Sequence, residues 1–234
     1  MEVRVAVAKV PKWAAGESGD TLEMIERPRG GLSFVLVDGQ RSGRAAKAIS
    51  TLVARKAIAE LAEGVRDGAA ARAANDSLHA YKGGKVSATL NIVSVDLHTG
   101  TLVLSRNNPL PIILVEPDGQ VRWLDEPAQP IGFYARTRPV ITEVPMRPGL
   151  IVVVYTDGLA TAGERRGGPL DVGAEVAALV AAGQDAQSIA DGLLARALAL
   201  EDNRPRDDIS VLVLQVGAAE GSEVRRLTVQ VPIR

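Results

Sequence analysis

The chain has 234 residues, 46% of them hydrophobic and 24% charged, with 27 Lys and Arg against 28 Asp and Glu, two His and no Cys. These proportions describe a globular chain long enough to bury a sizeable core, and its near-zero net charge leaves no electrostatic footprint for nucleic acid or an anionic membrane. The lack of Cys excludes disulfides, thiolate metal sites and Cys nucleophiles, and two His leave little room for an imidazole cluster, so the chemistry falls to carboxylates.

The first ten residues carry Val3, Val5, Val7 and Val10 between charged and small residues, which predicts an opening strand and lacks the apolar core of a signal peptide. No apolar run is long enough to span a bilayer, and the expected location is the cytoplasm. Residues 32–37 form a short apolar run stopped by Asp38-Gly39, a strand followed by a turn. Residues 44–63 switch to helix formers without Pro and close on Gly64; a second Ala-rich helix is expected over 68–81. Residues 86–96 and 101–105, joined through His98-Thr99-Gly100, read as a hairpin, and 111–116 with 120–124 around Asp118-Gly119 as another. Strands over 140–144 and 150–156, helices over 172–182 and 186–200, and strands over 209–216 and 224–231 complete the chain.

Several strand runs, such as 112–115, 151–154 and 211–214, are apolar at every position, so both of their faces must be covered. The class expected is α+β: a four-layer α-β-β-α sandwich of two mainly antiparallel sheets flanked by helices. No linker or repeat divides the chain. One domain is expected over 1–217, with 218–234 as an extension adding an edge strand. Trp13 and Trp123 are expected to pack, and His79 and His98 to be structural or solvent-facing. Gly83-Gly84-Lys85-Val86-Ser87 lacks the upstream Gly and the hydroxyl after Lys that a phosphate loop requires.

Four places put Asp at a strand end or beside a turn Gly: Asp20 after Gly19, Asp38 before Gly39, Asp157 before Gly158, and the pair Asp207-Asp208. Any one of them reads equally as an ordinary turn. Two follow strands that look fully buried, where a carboxylate is costly unless it is paired with a cation. Arg and Lys are available for that pairing, and so is a metal. Oxygen donors suit Mg2+ or Mn2+, and a pair of such ions activates water for in-line displacement at phosphorus.

Asp38-Gly39-x-x-x-Gly43-x-x-Ala46 entering a helix, Val153-Val154-Tyr155-Thr156-Asp157-Gly158-Leu159, and Asp207-Asp208-Ile209-Ser210-Val211 resemble, in that order, the metal-dependent protein phosphatase 2C family. The resemblance is to its bacterial branch of sporulation stage II E and stressosome phosphatases. Ser87-Ala88-Thr89-Leu90, Asn108-Pro109-Leu110-Pro111 and Pro130-Ile131-Gly132 fit that branch's intervening blocks. The resemblance implies two Mn2+ or Mg2+ ions and hydrolysis of phosphoserine or phosphothreonine by a metal-activated water. It implies that Asp38 bridges the ions, that Gly39 offers its carbonyl, that Asp157 and Asp207 hold one ion and that Asp20 serves the second. Asp208, Thr156 and Ser210 are implied as supports of the ligands.

Gln40, Arg41 and Ser42 occupy the loop where many members of that family carry a His, and Arg106-Asn107-Asn108 departs from the branch's usual turn. Arg41 and Arg44 are candidate phosphate contacts; solvated surface arginines are the competing account. The expected partner is a small phosphorylated regulatory protein of stress or sigma-factor signalling. A non-catalytic phosphoprotein-binding member and a small-molecule phosphatase stay open as alternatives.

Overall fold

In the computed structural model, which describes residues 1–218 and 224–232, the strands pair entirely antiparallel into two five-stranded sheets. Sheet A has the order β1 (Glu2–Val10), β10 (Ile209–Gly217), β9 (Ile151–Tyr155), β6 (Ile112–Val115), β7 (Val121–Leu124). Sheet B has the order β2 (Asp20–Glu26), β3 (Leu32–Gly39), β4 (Ala88–Asp96), β5 (Thr101–Asn107), β8 (Val140–Pro145). Helices α1 (Gly43–Ala62) and α2 (Asp67–Lys82) follow β3. The single turn α3 (Asp157–Ala160), then α4 (Val172–Ala181) and α5 (Ala186–Leu200), lie between β9 and β10 in the chain.

The period of two decides where each side chain goes. In β9, Ile151, Val153 and Tyr155 pack with Val176, Ile189 and Leu193 of the helices, while Val152 and Val154 face sheet B. In β3, Val35 and Val37 pack with Ile49, Val53 and Leu78, while Phe34 and Leu36 face sheet A. Three apolar layers therefore separate four structural layers, the expected α-β-β-α sandwich, and this explains why the strands are apolar on both faces. Among the described residues no helix is long and apolar enough to cross a membrane.

The differences from expectation are local. β2 and α3 are additional to the elements read from the sequence. Residues 224–232 form no strand: Leu227, Val229 and Val231 are exposed, and Arg225 meets Glu26 at 3.3 Å without joining the sheet. Their alternation has no layer to bury against. Trp13 is also not a packing residue: it is exposed, with the Arg204 guanidinium 5.4 Å from its ring centroid.

Candidate metal centre

Strand order and register bring the acids to one end of the sandwich. Asp20 opens β2 and Asp38 is the penultimate residue of β3, and the two are direct cross-strand partners. Asp38 continues the alternation of Phe34 and Leu36, so its side chain emerges between the sheets, and its partner Asp20 shares that face. In sheet A, β9 ends where β10 begins, since Tyr155 pairs with Val211. Asp157, just past β9, and Asp207, just before β10, therefore meet at the same end. Asp38, Gly39, Asp157 and Asp207 line an open cleft of about 490 Å³, together with Lys12, Gln40, Arg41, Ser42, Ser87, Ala88, Thr89 and Pro130.

Like charges directly opposite in a ladder repel, and protonation answers that repulsion. Burial, reinforced by the charges of Asp20, Asp157 and Asp207, pushes the Asp38 carboxyl up to about 9. Burial raises Asp20 to about 6 against the opposing effects of a Ser210 hydrogen bond and the Lys9 charge. Asp157 reaches solvent at the rim, yet its carboxyl is also raised, by desolvation in the cleft and then by Asp207.

The supporting residues are specific. Ser210 Oγ and Thr156 Oγ1 donate to Asp20 Oδ2 at 2.6 and 3.1 Å, and the Ser210 N–H donates to Thr156 Oγ1 at 3.0 Å. Both hydroxyls thus orient Asp20, the most buried acid of the group. Asp20 Oδ1 is buried, and no N–H or hydroxyl among the described residues reaches it. Asp208 is buried away from the cleft and accepts the backbone N–H groups of Lys12 at 2.9 Å and Gly19 at 2.8 Å, pinning the segment that leads into β2. On the far side, Arg206 Nε and Nη2 grip Glu201 at 2.9 and 3.0 Å, and Glu201 accepts the Gly163 N–H at 2.8 Å. The hydrogen bonds from Arg206 hold the Glu201 carboxyl below its ordinary range. This grip ties the stretch before Asp207 to the stretch after Asp157.

Gly39 is required by close approach: a Cβ there would overlap the carbonyl oxygen of Ala46 in the first turn of α1. Gly39→Ala is expected to displace α1 from β3 and lower the thermal midpoint by several degrees, about 2 kcal/mol of overpacking; an unchanged midpoint would show that the helix yields freely.

Arg41 lines the cleft, in the left-handed region at φ +85°. Arg44 does not line it; α1 starts at Gly43 and carries Arg44 outward, nearly fully exposed and 4.0 Å from Glu17. Sequence reasoning missed three lysines. Lys12 lines the cleft, and Lys9 and Lys47 donate to the Asp20 carbonyl at 2.6 and 2.9 Å. A lone Lys carries no spacing signal. The Lys9 ammonium is shifted down by burial and by its neighbour Lys47. Gln40 holds the cleft wall: its N–H donates to the Ser87 carbonyl at 3.1 Å and its Oε1 accepts the Ser87 N–H at 2.9 Å.

Among the described residues no three acidic or imidazole side chains stand close enough to ligate one ion by themselves. The donors nevertheless fit a hard divalent cation. They are all oxygens, one buried carboxylate oxygen lacks a partner, and two facing carboxyls can ionise together at neutral pH only with a cation beside them. Mg2+ and Mn2+ are commonly held by few carboxylates with water completing the shell.

The family model described as stage II sporulation protein E (SpoIIE) matches residues 28–217. Among solved structures, the PP2C phosphatase domain of SpoIIE from Bacillus subtilis, with a fragment of its regulatory domain, aligns with a TM-score of 0.79 at 19% identity, covering 92% of this chain and 64% of that one. The RsbU and RsbW domains of a Mycobacterium tuberculosis protein align at 0.73 and 23% identity, covering 92% and 60%. RsbX in complex with magnesium aligns at 0.69 and 15% identity, covering 92% and 96%. The chain spans less than two thirds of the first two structures, and at these identities the likeness is one of fold: that of the PP2C-like phosphatases. No curated protein sequence matches.

Proposed function

The chain belongs to the stage II sporulation protein E family, and from that membership we propose that it is a metal-dependent protein serine/threonine phosphatase. Its substrate would be a phosphorylated regulatory protein of stress or sigma-factor signalling in the cytoplasm. One observation carries the reading: Asp20 and Asp38 face each other across β2 and β3 at the end of the sandwich where Asp157 and Asp207 also lie. The magnesium bound by RsbX supports the cation, and the SpoIIE phosphatase described as a cell fate determinant supports a regulatory role.

Asp38, the Gly39 carbonyl, Asp157 and Asp207, with Asp20 through its unpartnered oxygen, are the residues that would hold two Mn2+ or Mg2+ ions. Bound there, the ions would supply Lewis acidity, activate water and neutralise phosphoryl charge. Thr156 and Ser210 keep Asp20 aimed. Lys12 and Arg41 bring positive charge to the cleft, where a phosphate monoester carries its negative charge. Gln40 is engaged with Ser87 and its amide is no acid, so the leaving alkoxide has no imidazole to protonate it.

The test is release of phosphate from a phosphoserine protein and from 4-nitrophenyl phosphate, expected with Mn2+ and absent in EDTA. A folded protein inactive on both in excess Mn2+ would overturn the reading. Equal kcat/KM on free phosphoserine and on phosphoprotein would turn it toward small-molecule substrates. Without an imidazole as general acid, turnover is expected to depend steeply on the leaving group, 4-nitrophenyl phosphate outpacing phenyl phosphate by about a hundredfold. Similar rates would reveal a proton donor that the cleft conceals.

A further inference from the structure

Beside the cleft, residues 129–138 form an Ω-loop whose ends are pinned together, since Asn107 Nδ2 donates to the carbonyls of both Gln129 at 3.1 Å and Arg138 at 3.2 Å. Ile131 and Ala88 exchange backbone hydrogen bonds of 2.9 and 3.0 Å. The fully buried Asn75 of α2 accepts the Gly132 N–H at 2.9 Å and donates to the Tyr134 carbonyl at 3.0 Å, and His79 Nδ1 lies 3.0 Å from the Gly132 carbonyl. This backbone is fixed by buried polar groups, yet its tip buries little. Phe133 is 41% and Tyr134 64% exposed, and Tyr81 at the end of α2 is 67% exposed. Two of the chain's seven aromatic residues thus stand side by side and exposed at the tip of this loop.

Cations predominate in the two segments that meet here, where a Cβ on Gly84 would lie 3.1 Å from the Phe133 carbonyl. Residues 79–88 and 129–138 contain Lys82, Lys85, Arg136 and Arg138 and no acid. Asp76, one turn earlier on α2, takes the Asn75 amide at 3.2 Å. Lys82 Nζ lies 4.5 Å from the Tyr81 ring centroid. The loop also starts at the cleft, because Pro130, Ser87 and Ala88 line it. Rigid aromatics rimmed by cations, beside a catalytic cleft, have the composition of a docking surface.

We propose that Phe133, Tyr134 and Arg136 dock an acidic segment flanking the phosphoserine of the protein substrate. The proposal rests on the phosphatase reading above and adds what kind of sequence surrounds the phosphate. The aromatics supply contact area at low entropic cost, and the cations select acidic flanks.

The experiment uses two fluorescein-labelled phosphoserine peptides of equal length, one flanked by Glu and one by Gln. Binding is followed by fluorescence anisotropy in EDTA, where no turnover intrudes. Wild type is expected to prefer the Glu-flanked peptide by about tenfold, with the preference shrinking in high salt. Arg136→Glu is expected to erase that preference, and Phe133→Ala/Tyr134→Ala to weaken both peptides about tenfold. Both variants are expected to hydrolyse 4-nitrophenyl phosphate in Mn2+ as fast as wild type. Unchanged peptide binding in the variants would overturn the proposal, as would concentration-dependent self-association of wild type that the double variant abolishes, since the patch would then join two copies of this chain. Failure of the phosphatase reading shows separately, as wild type inactive on 4-nitrophenyl phosphate, and the anisotropy still decides the docking.

Discussion

Asp38→Asn is expected to abolish turnover and, in the same protein, to raise the stability of the metal-free fold. The two effects share one cause. Asp38 lies opposite Asp20 and faces the charges of Asp157 and Asp207, so its carboxyl is pushed up to about 9 from an ordinary 3.8. Between those values the unfolded chain gives up a proton that the folded chain keeps. The folded state binds more protons, and its stability falls as pH rises from about 4 to about 9. An amide in that place carries no charge to desolvate and no repulsion with Asp20. In EDTA at pH 8 the variant should therefore unfold later than wild type, by on the order of 2 kcal/mol or about 5 °C, and the gap should close toward pH 4. With Mn2+ the order should reverse. An ion present at a hundred times its Kd stabilises wild type by about 2.7 kcal/mol, and the variant forfeits that gain. Turnover should fall by roughly three orders of magnitude, the scale of several kcal/mol of lost charge stabilisation. Thermal scans in EDTA and in Mn2+ at pH 5 and 8, with phosphate release alongside, check each part. A variant less stable than wild type in EDTA at pH 8 would mean that a cationic side chain already neutralises Asp38.

Much of this arrangement was legible in the sequence because the signals are local. An apolar run stopped by Asp-Gly marks both a strand end and an acid at its mouth, and two such runs, ending at Asp38 and Asp157, set the cleft. Helix composition located α1, α2, α4 and α5 within a residue or two. The features that were not legible depend on partners distant in sequence. In β2, Thr21 and Glu23 interrupt the apolar run, and its identity as a strand comes from pairing with β3. Residues 224–231 show the converse, since they alternate like a strand and no sheet receives them. The roles of Lys9 and Lys47 arise from β1 and α1 converging on Asp20, and that of Lys12 from the loop after β1 reaching the cleft, which no spacing within one segment encodes.

Asp207 and Asp208 adjoin in sequence and are expected to fail in opposite ways when replaced. Asp207 lines the cleft and, among the described residues, accepts only the Asp208 N–H, at 2.9 Å. The carbonyl oxygen of Asn can still accept that bond, so Asp207→Asn should leave the EDTA thermal midpoint within a few degrees of wild type. It removes a charge that raises Asp157 and Asp38, which adds slightly to stability. Turnover and Mn2+ binding, read by phosphate release and calorimetry, should fall together, about a hundredfold or more. Asp208→Ala should do the reverse. It strips the acceptors from the Lys12 and Gly19 N–H groups, the second of them buried, and frees the segment that presents Asp20. Two unpaired backbone donors cost roughly 2–4 kcal/mol, so the midpoint should drop by about 5–15 °C. Relief of the Asp208 charge on Asp20 and Asp157 offsets only part of this, because in both cases that charge ranks below burial as a cause of the shift. Metal affinity in the fraction that stays folded should weaken less than in Asp207→Asn, since Asp20 remains held by Thr156 and Ser210 at its Oδ2. If Asp208→Ala instead kept the wild-type midpoint and lost Mn2+ binding, the ligand of the pair would be Asp208, and the buried carboxylate would have to turn toward the cleft to serve.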